Sequence, residues 1–343
     1  MSDRSRRSVG VIDEVAAIAA MPRPLPERAG ALLTVLQQVI HSDAAYLVLL
    51  DPERRVVPAL ARRGYPGRVQ EYLDGPAMID DLEQVGMLGR KPRRVCDSPV
   101  PPEQVPVWAE YLRPAGFGEG VGVPLHTFDG RYLGVFAAST ETTVPLDEDT
   151  CHLLERLAPL IADAVDPLRA LTELAALVTD AVAGVVLTRE GGIEPLPGLP
   201  GHPELAPGSR ALAEASARLG AAESHAVLLT TTTRCAGRRR DYLKVTVLAC
   251  HGVPPGHRSG VVLLSPAPDL HTLTHRDLTV LGLLIAGWQP RRVAAHLGLS
   301  PGTVMTTLDH TRAALRAPTR DAAVLRAAAL GLYLPAPIAP DRD

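Results

Sequence analysis

Apolar residues recur at helical spacing between Glu27 and His41, where Leu32, Leu33, Val35, Leu36, Val39 and Ile40 line one side; that period predicts an amphipathic helix. A shorter stretch of the same kind, residues 9–21, ends at "PRPLP". The period then changes. Ala45–Leu50 and Val56–Ala61 are compact apolar runs on either side of the turn "DPERR" and predict paired strands. Short helices are expected near Gln70–Leu73 and Ile79–Leu88, then a proline-rich loop over "CDSPVPPEQVP" and a helix through Trp108–Leu112. Two alternating runs flank Asp129-Gly130 in "GEGVGVPLHTFDGRYLGVFAAST", the strongest short signal for a hairpin. A helical stretch runs from Leu146 toward Val182. Helix, two strands, an insertion, two strands and a helix describe an antiparallel sheet with helices on one face.

Along that last helical stretch, Leu153, Leu157, Leu160, Ala164, Leu171, Leu174, Val178 and Ala181 alternate steps of three and four, the spacing of a coiled-coil seam. Pro159 and Pro167 interrupt it, the second as a break. Two uses of the seam remain open: its first half covers the preceding sheet, or the helix pairs two copies of the chain. A second small sheet is predicted between Ala183 and Pro266, from "GVVLTREGGIEPLPG", a helix over Ser209–Leu219, "HAVLLTTTT", "YLKVTVLAC" and "SGVVLLSPA".

Four short helices close the chain. Thr274-x-x-Asp277 is a capping-box start, followed by an apolar stripe of Leu278, Leu281, Leu284 and Ile285. Gly287 stops that helix, and Pro290 suits the first turn of the next, with Val293, Ala294 and Leu297 inward. Gly298 supplies the tight turn. Ser300 caps a third helix with Val304, Leu308 and Leu315 inward; Thr319 opens a fourth, ending at Gly331.

Composition sharpens this picture at three points. The chain has 343 residues, 46% hydrophobic and 21% charged, enough for two or three domains with packed cores and too apolar for wholesale disorder. The net charge of −3 is uneven. Residues 271–334 hold seven arginines (276, 291, 292, 312, 316, 320, 326) against Asp277, Asp309 and Asp321, or +4, which leaves −7 for the remainder. A basic end on an acidic body favours a polyanion at that end. Cys96, Cys151, Cys235 and Cys250 form no C-x-x-C pair and suit a reducing compartment. Cys250, His251 and His257 share a loop but nothing nearby completes four ligands, so no metal site is expected. No apolar run is long enough to span a membrane and no signal peptide is recognisable, so a soluble cytoplasmic protein is expected. No G-x-S-x-G, P-loop, H-E-x-x-H or paired nucleophile and base is present, and no enzymatic role or cofactor is expected.

Residues 25–165 resemble a GAF domain, carried by the leading helix, "AAYLVLLD", "GVGVPLHTFDGRYLGVFAAST" and "LDEDTCHLLERLAPLIADAV". The resemblance implies a sensor module and leaves the ligand open, since such modules take cyclic nucleotides, tetrapyrroles, small acids or nothing. The 183–266 segment is similar to part of a PAS domain. Residues 272–334 resemble the C-terminal DNA-binding domain of the LuxR/NarL/FixJ regulators through "LTHRDLTVLGLLIAGW", "RRVAAHLGLSPGTV" and "TRDAAVLRAAALGLY". The whole chain is similar to GAF-containing LuxR-type regulators of actinobacteria. A multidomain α+β fold follows: a GAF-like sensor (1–168), a linker helix and small α+β, PAS-like spacer (169–268), a four-helix helix-turn-helix domain (269–334) and a flexible tail (335–343).

The resemblance places the third helix in the major groove of double-stranded DNA and uses the fourth to pair two subunits, so a homodimer is expected. Arg291, Arg292, Ser300, Gly302, Thr303, Met305, Thr306, Thr307, Arg312 and Arg316 are the candidate DNA contacts. The chain also departs from the family. Where the family has a lysine and, two residues on, a histidine after "TV", this chain has Met305 and Thr307, and Asp309 takes a further commonly basic position. Each lost phosphate contact weakens binding and flattens its salt dependence. The alternative is a helix-turn-helix scaffold that has lost DNA affinity and docks proteins.

Overall fold

The computed structural model describes residues 3–221, 223–232, 241–250 and 252–336. Cys235, His251 and the tail from 337 onward lie outside the described residues. The chain divides into two compact units, Met1–Ala170 with Gly252–His257, and Leu171–His251 with Arg258–Asp343.

In the first unit the helices α1 (Asp3–Ala19) and α2 (Leu25–Ile40) precede strands β1 (Ala44–Leu49) and β2 (Ala59–Arg63). Then come α3 (Gly67–Leu73), α4 (Met78–Gln84), the two-residue β3 (Arg93–Arg94), β4 (Glu119–His126), β5 (Tyr132–Thr140) and α5 (Glu148–Ala164). The sheet is antiparallel in the order β2-β1-β5-β4-β3. The Asp129-Gly130 hairpin forms as predicted, with Gly130 at φ 88°. β2 begins later than the apolar run suggested, because Val56 makes only an isolated bridge to Asp51.

One expectation needs correction: both faces of this sheet are covered. β1 is buried at every position, and successive side chains of a strand point to opposite sides. Ala45, Leu47 and Leu49 join Val121, Val123, Leu125 and Phe136 beneath α1, α2 and α5. Ala44, Tyr46 and Val48 pack instead with α3, α4 and the 95–117 segment. A strand apolar throughout is the pattern of double burial.

The long helical stretch is also divided. α5 opens at Asp147, whose carboxylate accepts the Thr150 N–H at 2.8 Å, and continues through Pro159. It buries Leu154, Leu157 and Ile161 completely against its own sheet; cutting any one back to alanine costs about 2–5 kcal/mol. It ends at Ala164, and α6 (Pro167–Ala175) starts afresh. Asp166 makes the break: it accepts the Leu168 N–H at 3.0 Å and both Arg131 Nη groups at 3.2 and 2.7 Å. The seam therefore never becomes one continuous helix to Val182.

The second unit contains β6 (Ala183–Thr188), β7 (Ile193–Pro195), α7 (Arg210–Gly220), β8 (His225–Thr231), β9 (Tyr242–Ala249) and β10 (Arg258–Pro266). These strands form an antiparallel sheet in the order β7-β6-β10-β9-β8. The closing helices are α8 (His275–Ile285), α9 (Pro290–Leu297), α10 (Pro301–Ala314) and α11 (Arg320–Leu330). Together with the first unit this is a multidomain α+β chain.

These helices share their core with the sheet. Leu278 and Leu281 of α8, Leu315, Ala327 and Leu332–Leu334 pack with Val185, Leu228, Val247, Val262 and Leu212. Val280 and Leu283, on another side of α8, pack with Val293, Ala294 and Val304. α8 thus presents apolar residues on two sides, one to the sheet and one to α9 and α10, while Arg276 at its start stays exposed. The chain after α11 fastens the two layers: the Leu229 N–H donates to the Tyr333 carbonyl and the Leu334 N–H to the Leu278 carbonyl, each at 3.0 Å. Pro335, placed in the tail by the sequence reading, is buried and its carbonyl accepts from Arg210 at 3.1 Å. Among the described residues no helix is long and apolar enough to cross a membrane, and no cluster of three His, Cys, Asp or Glu could hold a metal.

Candidate functional sites: a cavity in the first unit and a helix face in the second

The first site begins with small residues at alternate positions. In β4, Gly120 and Gly122 point to the face opposite Val121 and Val123, and they pair with Ser139 and Ala137 of β5. Four neighbouring positions at the centre of the sheet thus present almost no side chain. Met87 and Trp108 reach down into that space. A Cβ on Gly122 would strike the Met87 sulfur, and one on Gly120 would meet the Trp108 ring at 3.3 Å. What remains is a cavity of about 80 Å³, walled also by Tyr46, Met78, Leu82, Val105 and Leu112. That is room for roughly six water-sized groups, since one water needs about 10–15 Å³.

Few polar groups face this cavity, and most of them are held by hydrogen bonds. Tyr65 Oη and Ser139 Oγ lie 2.9 Å apart, and burial pushes the Tyr65 hydroxyl above the usual phenol range. Asp81, 3% exposed, accepts the Tyr72 hydroxyl at 2.8 Å and the Val107 N–H at 2.9 Å, both on Oδ2. Burial pushes its carboxyl upward; the two hydrogen bonds oppose that shift. Tyr72 is itself stacked on Tyr111, with ring centroids 4.0 Å apart. Arg93 and Arg94 of β3 also line the cavity. The sequence reading named no residue here. Its available signal was the glycine alternation in "GEGVGVP", which reads equally as a weak strand until its neighbours are known.

The second site is the corner between α9 and α10. Gly298 adopts φ 64°, ψ 33°, a left-handed conformation that costs other residues energy. Ser300 Oγ accepts the Thr303 N–H at 3.1 Å, fixing the start of α10 one residue after the turn ends. The Thr274–Asp277 capping box is formed, with Thr274 N–H to Asp277 Oδ2 at 2.8 Å and Asp277 N–H to Thr274 Oγ1 at 3.3 Å. Thr319 caps α11 through the Ala322 N–H at 3.1 Å.

Ser300, Gly302, Thr306, Arg312 and Arg316 are exposed on α10 and its flanks, and Thr303 and Met305 are half-buried. Thr307 departs from its assignment. It is 6% exposed and lies on the inward stripe with Val304, Leu308 and Thr311, and its carbonyl accepts the Thr311 hydroxyl at 2.9 Å. A side chain buried there cannot meet DNA without unpacking α10. Arg291 and Arg292 are exposed at the start of α9, and the Arg292 guanidinium lies 3.9 Å from the Trp288 ring centre.

The seven arginines of this end are not equally available. Arg320 forks onto Asp309 at 2.8 and 2.6 Å, which holds the Asp309 carboxyl below the usual carboxylate range. Arg326 donates to the carbonyls of Leu315 and Arg316 at 3.0 and 3.3 Å, satisfying the C-terminus of α10. Arg292 lies on Trp288. Arg276, Arg291, Arg312 and Arg316 are exposed and form no ion pair among the described residues.

Comparison with known proteins bears on the first unit. Residues 23–166 match the family model described as the GAF domain, and a GAF domain, a sensor module, occupies that part of the chain. No curated protein matches the sequence. Among solved structures, the chain is similar to the GAF domain of a phosphoenolpyruvate-protein phosphotransferase from Coxiella burnetii, at 17% identity and TM-score 0.39 over 50% of this chain and 99% of that one. The corresponding domain from Acinetobacter matches at 13% identity and TM-score 0.38, over 50% and 99%. A phycocyanobilin-bound GAF domain from a cyanobacterial phytochrome matches at 17% and 0.38, over 46% and 93%.

Proposed function

We propose that the chain is a cytoplasmic, non-catalytic transcription regulator of LuxR type, acting as a homodimer, in which a small molecule held in the GAF cavity governs how α10 reads DNA. The observation that carries this reading is the α9–Gly298–α10 corner. A left-handed glycine and a serine cap hold α10 with Gly302, Thr306, Arg312 and Arg316 turned to solvent, as a helix entering a major groove requires. Leu325 and Leu330 of α11 are 71% and 47% exposed, which supports pairing of two copies through that helix. Pairing matters energetically, because a linked second half-site multiplies a weak single contact. Ligand control follows if the small molecule binds one dimer geometry better than another.

A second reading, a helix-turn-helix that docks a protein and not DNA, is favoured by one feature: Asp309 lies on the same stripe as Met305 and Arg312 and removes charge where a DNA reader gains it.

Fluorescence anisotropy of the full chain on duplexes from its own upstream region separates the two. The DNA reading expects saturable, competitor-resistant binding whose logarithm falls linearly with log salt. Each neutralised phosphate contributes about 0.9 to that slope, so the five exposed arginines without an ion pair among the described residues, Arg276, Arg291, Arg292, Arg312 and Arg316, limit it to about 4.5 per subunit. Absence of binding at low salt, with and without small-molecule extracts, would overturn the DNA reading.

A further inference from the structure

We infer that the GAF cavity takes a small organic carboxylate that also bears a hydrogen-bond donor, with Arg93 anchoring the anion and Asp81 accepting from the donor. The inference rests on the reading of this cavity as the ligand site of the sensor.

Two adjacent arginines of β3 show the reason. Arg94 is fully engaged, donating to Asp97 at 2.6 and 3.1 Å and to the Leu146 carbonyl at 2.8 Å, with Glu148 3.4 Å away. Arg93 lines the same cavity, yet its Nε is buried without a hydrogen-bond partner and the residue forms no ion pair among the described residues. Its guanidinium lies across Gly86, at φ 74°, where a Cβ would come within 3.2 Å of Nε. Leaving a donor of a partly buried cation unmet is costly; carboxylate and phosphate oxygens both match the guanidinium fork, and the carboxylate is the smaller and less charged of the two for a mostly apolar cavity of about 80 Å³.

Asp81 supplies the opposite pole. Both of its protein donors go to Oδ2, so Oδ1 is left for a ligand hydroxyl or ammonium. Asp81 and Arg93 do not pair with each other, and each keeps its capacity. The remaining wall, Met78, Leu82, Met87, Val105 and Trp108, is apolar. A compact body of roughly six to ten non-hydrogen atoms suits a cavity of about 80 Å³.

The test is calorimetric titration of the full chain with 4-hydroxybenzoate, 2-hydroxyisocaproate and leucine, each beside its neutral amide, and with benzoate and isocaproate, which lack the donor. The expected result is that at least one hydroxy or amino acid binds ten times or more tighter than both its amide and its donor-free counterpart. Arg93→Gln should erase the preference for acid over amide, and Arg93→Lys should keep most of it. Asp81→Asn should narrow the gap to the donor-free acid. Ala137→Phe, which fills the cavity floor, should abolish all binding, with thermal unfolding checking that each variant is folded. Amides binding as tightly as acids, in a manner blocked by Ala137→Phe, would overturn the carboxylate and leave the cavity a ligand site. No binding by any acid or amide would overturn both.

Discussion

Gly282 offers the sharpest test of how the closing helices are held. It sits inside α8, where replacing glycine with alanine normally stabilises a helix by about 1 kcal/mol. Here a Cβ would land on the Leu334 carbonyl oxygen, with the Leu334 carbonyl carbon 2.7 Å away. Backbone cannot rotate aside as a side chain can, so either α8 or the 332–336 segment must move. Movement of that segment loses the Leu229 N–H to Tyr333 bond and the Leu334 N–H to Leu278 bond, about 1 kcal/mol each. It also loosens Leu332, Tyr333 and Leu334, all at most 5% exposed, where an overpacked core costs about 1–3 kcal/mol more. Gly282→Ala should therefore destabilise the second unit by about 2–4 kcal/mol after the helix gain is subtracted. Urea unfolding gives the sign, and hydrogen exchange at the Leu229 and Leu334 amides gives the place, since both should lose protection. An alanine variant as stable as the parent, or more so, with those amides still protected, would refute the fastening.

Met305→Lys should tighten DNA binding and steepen the salt slope by about 0.9 per subunit, one phosphate's share, read by anisotropy across a salt series. Thr307→His, which places there the histidine that the proposed regulator type would carry, should instead destabilise the chain by about 1–3 kcal/mol with no gain in affinity, because Thr307 is buried; tighter binding at unchanged stability would contradict its placement. Burial pushes the Cys250 thiol up to about 11, so at pH 8 only about one molecule in a thousand carries the thiolate. Iodoacetamide should modify exposed Cys96 well before Cys250 in the native chain. Equal rates, measured by peptide mass mapping, would contradict that burial.

Much of the architecture was legible because it rests on local chemistry. Asp129-Gly130 needs no distant partner to specify a hairpin, and Thr274, Ser300 and Thr319 each cap a helix with an N–H three residues away. What escaped depends on contacts across the chain. In "LTVLGLLI" helical spacing picks out one apolar stripe, Leu278, Leu281, Leu284 and Ile285, although Val280 and Leu283 are equally apolar. The omitted pair forms the small core with α9 and α10, and Leu278 and Leu281 join the sheet. An extra apolar face implied an extra partner, but not which one. The burial of Thr307 was hidden for the same reason. Its position in the motif suggested DNA, whereas its face is set by what packs behind α10.

The cavity lay further out of reach. Gly120 and Gly122 weaken a strand by any local measure; only the neighbouring strand, with Ala137 and Ser139 opposite, turns that weakness into a space. Arg93 and Arg94 are identical in sequence terms and differ only in what their side chains meet. Arg94 finds Asp97 and the Leu146 carbonyl, while the Arg93 Nε is buried and unmet. Charge counting weighs both alike, and the same holds at the other end of the chain. There the sum of +4 includes Arg320, committed to Asp309, and Arg326, committed to the end of α10. A cation already satisfied by its own chain adds little to a groove. The number that bears on function is therefore how many arginines the fold leaves unspent, and that number exists only once the partners are known.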